Sequence, residues 1–201
     1  MEFFFYCRDN PGTAQLRDEI AEAHWSFMDT YADTMIARGP TLADDRATAT
    51  GSMHMVDLPD AEAARVFAYA EPNYRAGVYR EVMVRRWCNV LGRTMWDFAG
   101  DPAISQFLII GHGQPGMTMI SDALRDEHRR YIADGGHGDR FIARGPLLSD
   151  DGTEWVGSAW LVEMADRAAV EAMLADEPYT RAGLYADVEI HNWQTGGRPV
   201  D

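Results

Sequence analysis

The chain has 201 residues, with 32 acidic against 18 basic side chains and a formal net charge of −14. Every basic residue is Arg, which excludes Schiff-base chemistry on lysine and the Walker A loop. The acidic balance argues against nucleic acid and anionic membrane surfaces, since both need a basic footprint.

A short apolar, aromatic run at residues 3–7 predicts a strand. Residues 14–36 predict a helix whose apolar face is Ile20, Phe27, Tyr31 and Met35. Gly39-Pro40 is expected to break that helix or the strand after it. Residues 51–57 predict a strand, and Asp60 caps a second helix that runs to residue 70 and ends at Glu71-Pro72. Residues 81–87 give a last strand, and residues 89–103, with Gly92, Gly100 and Pro102, read as a linker. The same order then recurs: a strand at 104–110, a helix at 119–133 with Leu124, Tyr131 and Ile132 on its apolar face, a strand at 157–163, a helix capped by Asp166 and ended by Glu177-Pro178, and a strand at 187–193.

The recurrence is a tandem duplication. Ile36-Ala37-Arg38-Gly39-Pro40 returns as Ile142-Ala143-Arg144-Gly145-Pro146, and residues 36–87 share 21 identities in 52 positions with the stretch 106 residues later. Before residue 36 the offset is 104, which matches His24 to His128 and places two extra residues in the loop at Gly135-Gly136-His137-Gly138. Repeats are therefore expected at 1–88 and 104–194, with a tail at 195–201. Each reads β-α-β-β-α-β, a ferredoxin-like α+β arrangement. Helices cover only one face of each sheet, so the two open faces are expected to bury each other as a fused pseudo-dimer. No apolar run approaches the about 20 residues of a membrane span, and the N-terminus lacks a basic region, so no signal peptide is expected. Two cysteines without a CxxC pair point to a reducing compartment, most simply the cytoplasm.

The motif order is a strand, a helix bearing His, Ala-Arg-Gly-Pro-Leu (Ala-Arg-Gly-Pro-Thr-Leu in the first copy), Gly-Ser, acid-Pro-x-x-x-Ala-Gly-x-Tyr, and a strand ending in Trp. It resembles the YCII-related (YciI-like) domain, present twice. The resemblance implies a dimeric α+β barrel made within one chain and a pocket centred on the helix His, here His24 and His128, with an acid nearby. The acid of the acid-Pro box is usually Asp in the family and is Glu71 and Glu177 here. A chlorohydroxyhydroquinone dehydrochlorinase is a known type in that family, and related barrels include muconolactone isomerases and small monooxygenases.

Two readings stand beside each candidate. His24 and His128 are either general acid/base groups or core histidines held by a carboxylate or backbone partner. Glu71 and Glu177 either orient the imidazoles or are solvated loop acids. Arg38 and Arg144 either hold an anionic substrate or pair with Asp44-Asp45 and Asp150-Asp151. Tyr79 and Tyr185 either donate to a substrate oxygen or pack. The Asp pairs read as hairpin turns. His54, His112, His137 and His191 have no His at the matching position and read as incidental. No HxxxH, HExxH or EF-hand pattern is present, so no metal is expected. Gly111-His112-Gly113-Gln114-Pro115-Gly116 has the literal GxGxxG form. Its first-copy equivalent is Cys7-Arg8-Asp9-Asn10-Pro11-Gly12, and Pro115 removes an N–H that a phosphate would need, so a nucleotide is not expected.

The function expected is a cofactor-independent lyase or isomerase acting on a small anionic or aromatic compound. A non-catalytic small-molecule binder and a monooxygenase-like barrel are the alternatives. Further homo-oligomerisation stays open.

Overall fold

The computed structural model describes residues 1–117 and 119–198. It forms two compact units, one made of Met1–Arg86 with the segment from Asn192 onward, the other of Trp87–His191. The first runs β1 (Glu2–Asp9), α1 (Ala14–Glu19), α2 (Ala21–Asp29), β2 (Met35–Leu42), β3 (Ala49–Asp57), α3 (Ala61–Ala70), α4 (Pro72–Arg75) and β4 (Tyr79–Trp87). All pairings are antiparallel. β1 lies between β3 and β4, with Phe5 opposite His54 on one side and Val84 on the other, and β2 flanks β3. This strand order, 2-3-1-4, is the ferredoxin-like one expected.

Strand alternation decides which side chains meet the helices. Phe3 and Phe5 of β1, Val56 of β3 and Val84 of β4 pack against Phe27 and Met28 of α2 and Ala64, Phe67 and Ala68 of α3. Phe67 touches both Phe5 (ring centroids 4.5 Å) and Tyr31 (4.9 Å), and each such buried aromatic contributes roughly 1.5–3 kcal/mol. Asp60 caps α3 by accepting from the Ala63 N–H at 2.8 Å.

The single helix expected over 14–36 is not formed. Ile20, at φ −107° and ψ 7°, separates α1 from α2, and α2 stops at Asp29. Met35 and Ile36 begin a strand instead, with Met35 still packed in the same core. The apolar spacing that suggested one helix thus crosses two kinds of element. Gly39-Pro40 does not break β2 but lies within it. Gly39 is required because a Cβ there would overlap the Gln194 carbonyl oxygen and crowd the Trp193 ring. The Arg38 carbonyl accepts from the Gly196 N–H at 2.9 Å, and the Pro40 carbonyl from the Gln194 N–H at 3.4 Å. Proline is tolerated because this edge uses its carbonyl and not the missing N–H.

The second unit repeats the plan with β5 (Ser105–Gly113), α5 (Asp122–Asp134), β6 (Phe141–Leu148), β7 (Trp155–Met164), α6 (Arg167–Asp176), α7 (Pro178–Arg181) and β8 (Tyr185–Trp193). β7 lies between β5 and β6, and β8 flanks β5. The core joins Phe107, Ile109, Phe141, Trp160 and Val162 to Ile132 of α5 and Val170, Met173 and Leu174 of α6. Residues 135–137 separate α5 from a 3-10 turn, one residue more than the 30–31 link of the first unit, and α5 itself runs one residue further. Residues 89–103, read as a linker, are built into this unit: Leu91 packs on the core, and an Arg93 guanidinium N–H donates to the Phe141 carbonyl at 2.7 Å. The Cys88 and Val90 N–H groups donate to Pro146 and Arg144, and a Cβ on Gly145 would overlap the Cys88 carbonyl. Among the described residues no helix is long and apolar enough to cross a membrane.

Candidate active site

The acid-Pro step builds the site. A residue before proline is pushed out of the helical region, and Glu71, at φ −60° and ψ 132°, is the break between α3 and α4. Pro72 then starts α4, where its missing N–H costs nothing. From this corner the carboxylate does two things. One oxygen of Glu71 accepts from the Tyr74 N–H at 2.9 Å and caps α4, and the other is hydrogen-bonded to His24 Nδ1. In the second unit Glu177 accepts from the Thr180 N–H at 2.9 Å and meets His128 Nδ1 at 2.6 Å. Both carboxylates are almost wholly buried, at 2% and 0% exposure. A carboxylate only accepts, so each Nδ1 carries a proton, and in the neutral ring Nε2 is the nitrogen with the lone pair.

His24 lines a cavity of about 350 Å³ in the first unit, with Arg17, Arg38, His54 and the segment from Gln194 to Gly197. Its surroundings are polar. An Asn73 amide N–H donates to the Tyr79 hydroxyl at 3.0 Å, and that hydroxyl donates to Ser52 at 3.0 Å. The Arg17 guanidinium donates to Ser52 Oγ at 2.6 Å and pairs with Asp9 at 3.4 Å. His54 is 3% exposed, its ring 6.0 Å from that of His24. Burial, helped by neighbouring positive charge, holds His54 well below its ordinary value, so it stays neutral.

His128 lines a larger cavity of about 570 Å³, whose walls include Trp155, Trp160 and Tyr179 together with Arg125, Arg129 and Arg144. Its ring stacks on Tyr179 at 4.2 Å and 15°, with Trp160 at 5.9 Å and Trp155 next to Tyr179. Arg144 opens onto the same cavity. Burial pulls its guanidinium down from its ordinary value, and among the described residues no carboxylate lies within ion-pair distance of it. Arg144 Nε and Trp155 Nε1 are buried donors without a partner among the described residues.

The structure therefore joins His24 to Glu71 and His128 to Glu177, and sets Arg38 and Arg144 at the two cavities. Neither arginine pairs with the Asp doublet after it. Arg38 lies 3.8 Å from Asp29, while Asp45 accepts from Thr48, and Asp151 accepts from Ser149 and Thr153, within their own turns, and both are held down to about 2 by those bonds. Tyr79 and Tyr185 do not line the cavities. Their hydroxyls reach Ser52 and Ser158 at 3.0 Å, and burial raises both phenols well above their ordinary value. The first two glycines of the GxGxxG run serve packing, since a Cβ on Gly111 would strike the Tyr185 ring and one on Gly113 would meet Trp155 and Val156.

Sequence reasoning read His54 as incidental and missed Arg17, Asn73, Trp160 and Tyr179. The signal was available for two of them: His54 and Trp160 sit two residues beyond the shared Ser52 and Ser158, on the same strand face. It also set aside His112 and His191, which the structure brings to one carboxylate, Glu189, at 2.7 and 2.8 Å.

Two ferredoxin-like α+β units, each with an imidazole–carboxylate pair at a cavity, make a duplicated α+β protein whose structural neighbours are dimeric α+β barrels. The YCII-related domain matches residues 1–88 and again 105–194, and the chain belongs to that family. No curated protein matches its sequence. Among solved structures it is similar to a provisionally assigned chlorite dismutase (12% identity, TM-score 0.60, 96% of this chain and 94% of that one). It is also similar to a heme-binding protein from Thermus thermophilus (9% identity, TM-score 0.57, 96% and 90%). At such identities the likeness is one of fold. The 5-chloro-2-hydroxyhydroquinone dehydrochlorinase of Burkholderia phenoliruptrix, solved with 2,5-dihydroxybenzoquinone, is 25% identical over 46% of this chain and 99% of its own, with a TM-score of 0.42.

Proposed function

We propose that the protein is a cofactor-independent lyase or isomerase that moves a proton on a small, anionic, aromatic or quinone-like compound, and that His128 is the base in its larger cavity. One observation carries this reading. A half-buried guanidinium without a carboxylate partner among the described residues, Arg144, shares a cavity lined in part by Trp155, Trp160 and Tyr179 with an imidazole whose Nδ1 is fixed by Glu177. Burying an unpaired charge is costly, and an anionic ligand supplies the missing partner through the planar fork that suits carboxylates and enolates.

The chemistry follows from the geometry. Nε2 of His128 takes a proton from carbon next to a carbonyl. The electron pair moves onto the oxygen, where Arg144 stabilises the charge. A lyase then expels a leaving group from the adjacent carbon, while an isomerase returns the proton from the imidazolium to another carbon. Tyr179 and Trp160 hold a flat ring, and Glu177 stabilises the imidazolium. His24 and Glu71 form the matching pair in the smaller, polar cavity. Tyr79 and Tyr185 act behind the site as positioning residues.

The test is binding and turnover of hydroxylated and chlorinated aromatics by the wild type, His24→Ala, His128→Ala and the double variant. Loss of turnover with His128→Ala supports the reading, and full activity in the double variant refutes it. Tight binding by the wild type with no turnover of any such compound marks a non-catalytic binder.

A further inference from the structure

The second cavity is lined by Arg125, Arg129 and Arg144 and, among the described residues, by no Asp or Glu, in a chain whose net charge is −14. Arg144 stands on β6 and is half-buried, while Arg125 and Arg129 stand on α5 and are exposed. Residues 125, 128 and 129 share one face of a helix, so the two arginines flank His128 on the side that meets the cavity. Glu177, which holds His128, is wholly buried and already accepts from the Thr180 N–H. The three guanidinium charges act on one ring. Burial raises the Tyr179 phenol, helped by Glu177, and Arg125, Arg129 and Arg144 each pull it back.

The first repeat shows that the fold does not require the outer pair. Positions 125 and 129 match Ala21 and Trp25, which line the first cavity without charge. Position 144 matches Arg38, so that arginine is common to both repeats and the outer pair belongs to the second alone. Arg125 meets Asp122 at 3.6 Å and donates to the Ile120 carbonyl at 3.0 Å, and Arg129 meets Asp126 at 3.3 Å. Those acids are 96% and 64% exposed. Exposed pairs of this kind hold little, so a ligand can take their place without leaving a buried charge behind.

We propose that the compound taken up by the second cavity carries a carboxylate besides the oxygen that meets Arg144, and that Arg125 and Arg129 hold this carboxylate at the outer edge of the cavity. The assignment rests on the reading of this cavity as the reacting one, and narrows its substrate to ring carboxylic acids. The planar guanidinium fork suits a carboxylate, and the faces of Trp160 and Tyr179 suit the flat ring that carries both groups.

The test is a calorimetric titration of the full-length protein with benzoate and with the isomeric benzenedicarboxylates, one carboxylate standing for the oxygen at Arg144. At least one dicarboxylate is expected to bind about 10-fold tighter than benzoate or more. The double variant Arg125→Ala/Arg129→Gln is expected to erase that gain and to change benzoate binding little. Arg125→Ala installs the residue with which the first repeat already folds, and far-ultraviolet circular dichroism checks the fold of the variant. His128→Gln is expected to keep the preference. A preference for a dicarboxylate without turnover of any compound supports this assignment and refutes the base, and turnover without the preference does the reverse. A gain that survives in the double variant would overturn the proposal. So would phenyl phosphate, whose two charges sit on one group, binding as tightly as the best dicarboxylate.

Discussion

Asn73 and Tyr179 occupy the same place in the two repeats and meet the two histidines differently. The Asn73 amide nitrogen lies 3.1 Å from His24 Nδ1, while the Tyr179 ring lies flat against His128 at 4.2 Å. His54 and Trp160 differ in the same sense. One repeat surrounds its imidazole with hydrogen-bonding groups and the other with aromatic faces, so the two cavities are expected to prefer different ligands.

Glu177→Gln separates orientation from binding. The amide oxygen can still cap α7, but an NH₂ group cannot accept from Nδ1–H. The ring is driven to the other tautomer, which places its proton on Nε2 and removes the lone pair facing the cavity. The expected outcome is a fall in kcat of about 100-fold or more with KM little changed, read by steady-state kinetics.

Arg144→Met is expected to oppose stability and function. Replacing a half-buried guanidinium that lacks a carboxylate partner among the described residues by an apolar side chain should leave the ligand-free protein as stable as the wild type or more so. Anionic ligands should bind at least about 10-fold more weakly. Thermal melts with and without ligand check both parts, and a large loss of stability without ligand would contradict the geometry of the second cavity.

His54 gives stability a pH dependence of known sign. Its folded value lies well below 6.5. As pH falls through about 6.5 the unfolded chain gains a proton there and the folded chain does not, so this contribution to stability declines toward acid. The slope approaches at most about 1.4 kcal/mol per pH unit. In His54→Phe that component disappears, and the difference between variant and wild-type denaturation midpoints should widen between pH 7 and 5 in favour of the variant.

Tyr79→Phe should cost more than Tyr185→Phe. The Tyr79 hydroxyl links Asn73 to Ser52, whereas the Tyr185 hydroxyl reaches Ser158. Removing the first leaves two buried polar groups short of a partner, at about 1–3 kcal/mol. Urea denaturation of the two variants gives the comparison.

Gly39→Ala and Gly145→Ala should each destabilise the protein by about 1–3 kcal/mol or more, because the added carbon meets backbone that cannot rotate away. Gly12→Ala tests strain alone, since that glycine has φ 83° with nothing near the missing Cβ.

The duplication, the β-α-β-β-α-β order and the capping aspartates were legible in the sequence because they rest on local chemistry repeated at a fixed offset. The helix His and the acid-Pro step were legible for the same reason. The double use of Glu71 and Glu177 was not, since nothing in a linear pattern says that one carboxylate reaches both a new helix and an imidazole. Nor was the end of α2 at Asp29, because Met35 serves the same core from a strand. Arg17, Asn73 and Glu189 escaped notice because their counterparts are Ser121, Tyr179 and Met83, and a search for matched residues passes over divergence.

The segment that follows the second repeat completes the first cavity, and Val90, which follows the first repeat, lines the second. Arg198 reinforces the former by binding Glu22 at 2.6 Å, Ser26 at 3.1 Å and Asp29 at 2.9 Å on the helix that carries His24. The boundary that inheritance drew in the chain is therefore not the one along which the molecule can be cut. Residues 1–88 expressed alone would lack a wall of their own cavity, and selection on residues 194–198 acts on chemistry encoded more than 150 positions upstream.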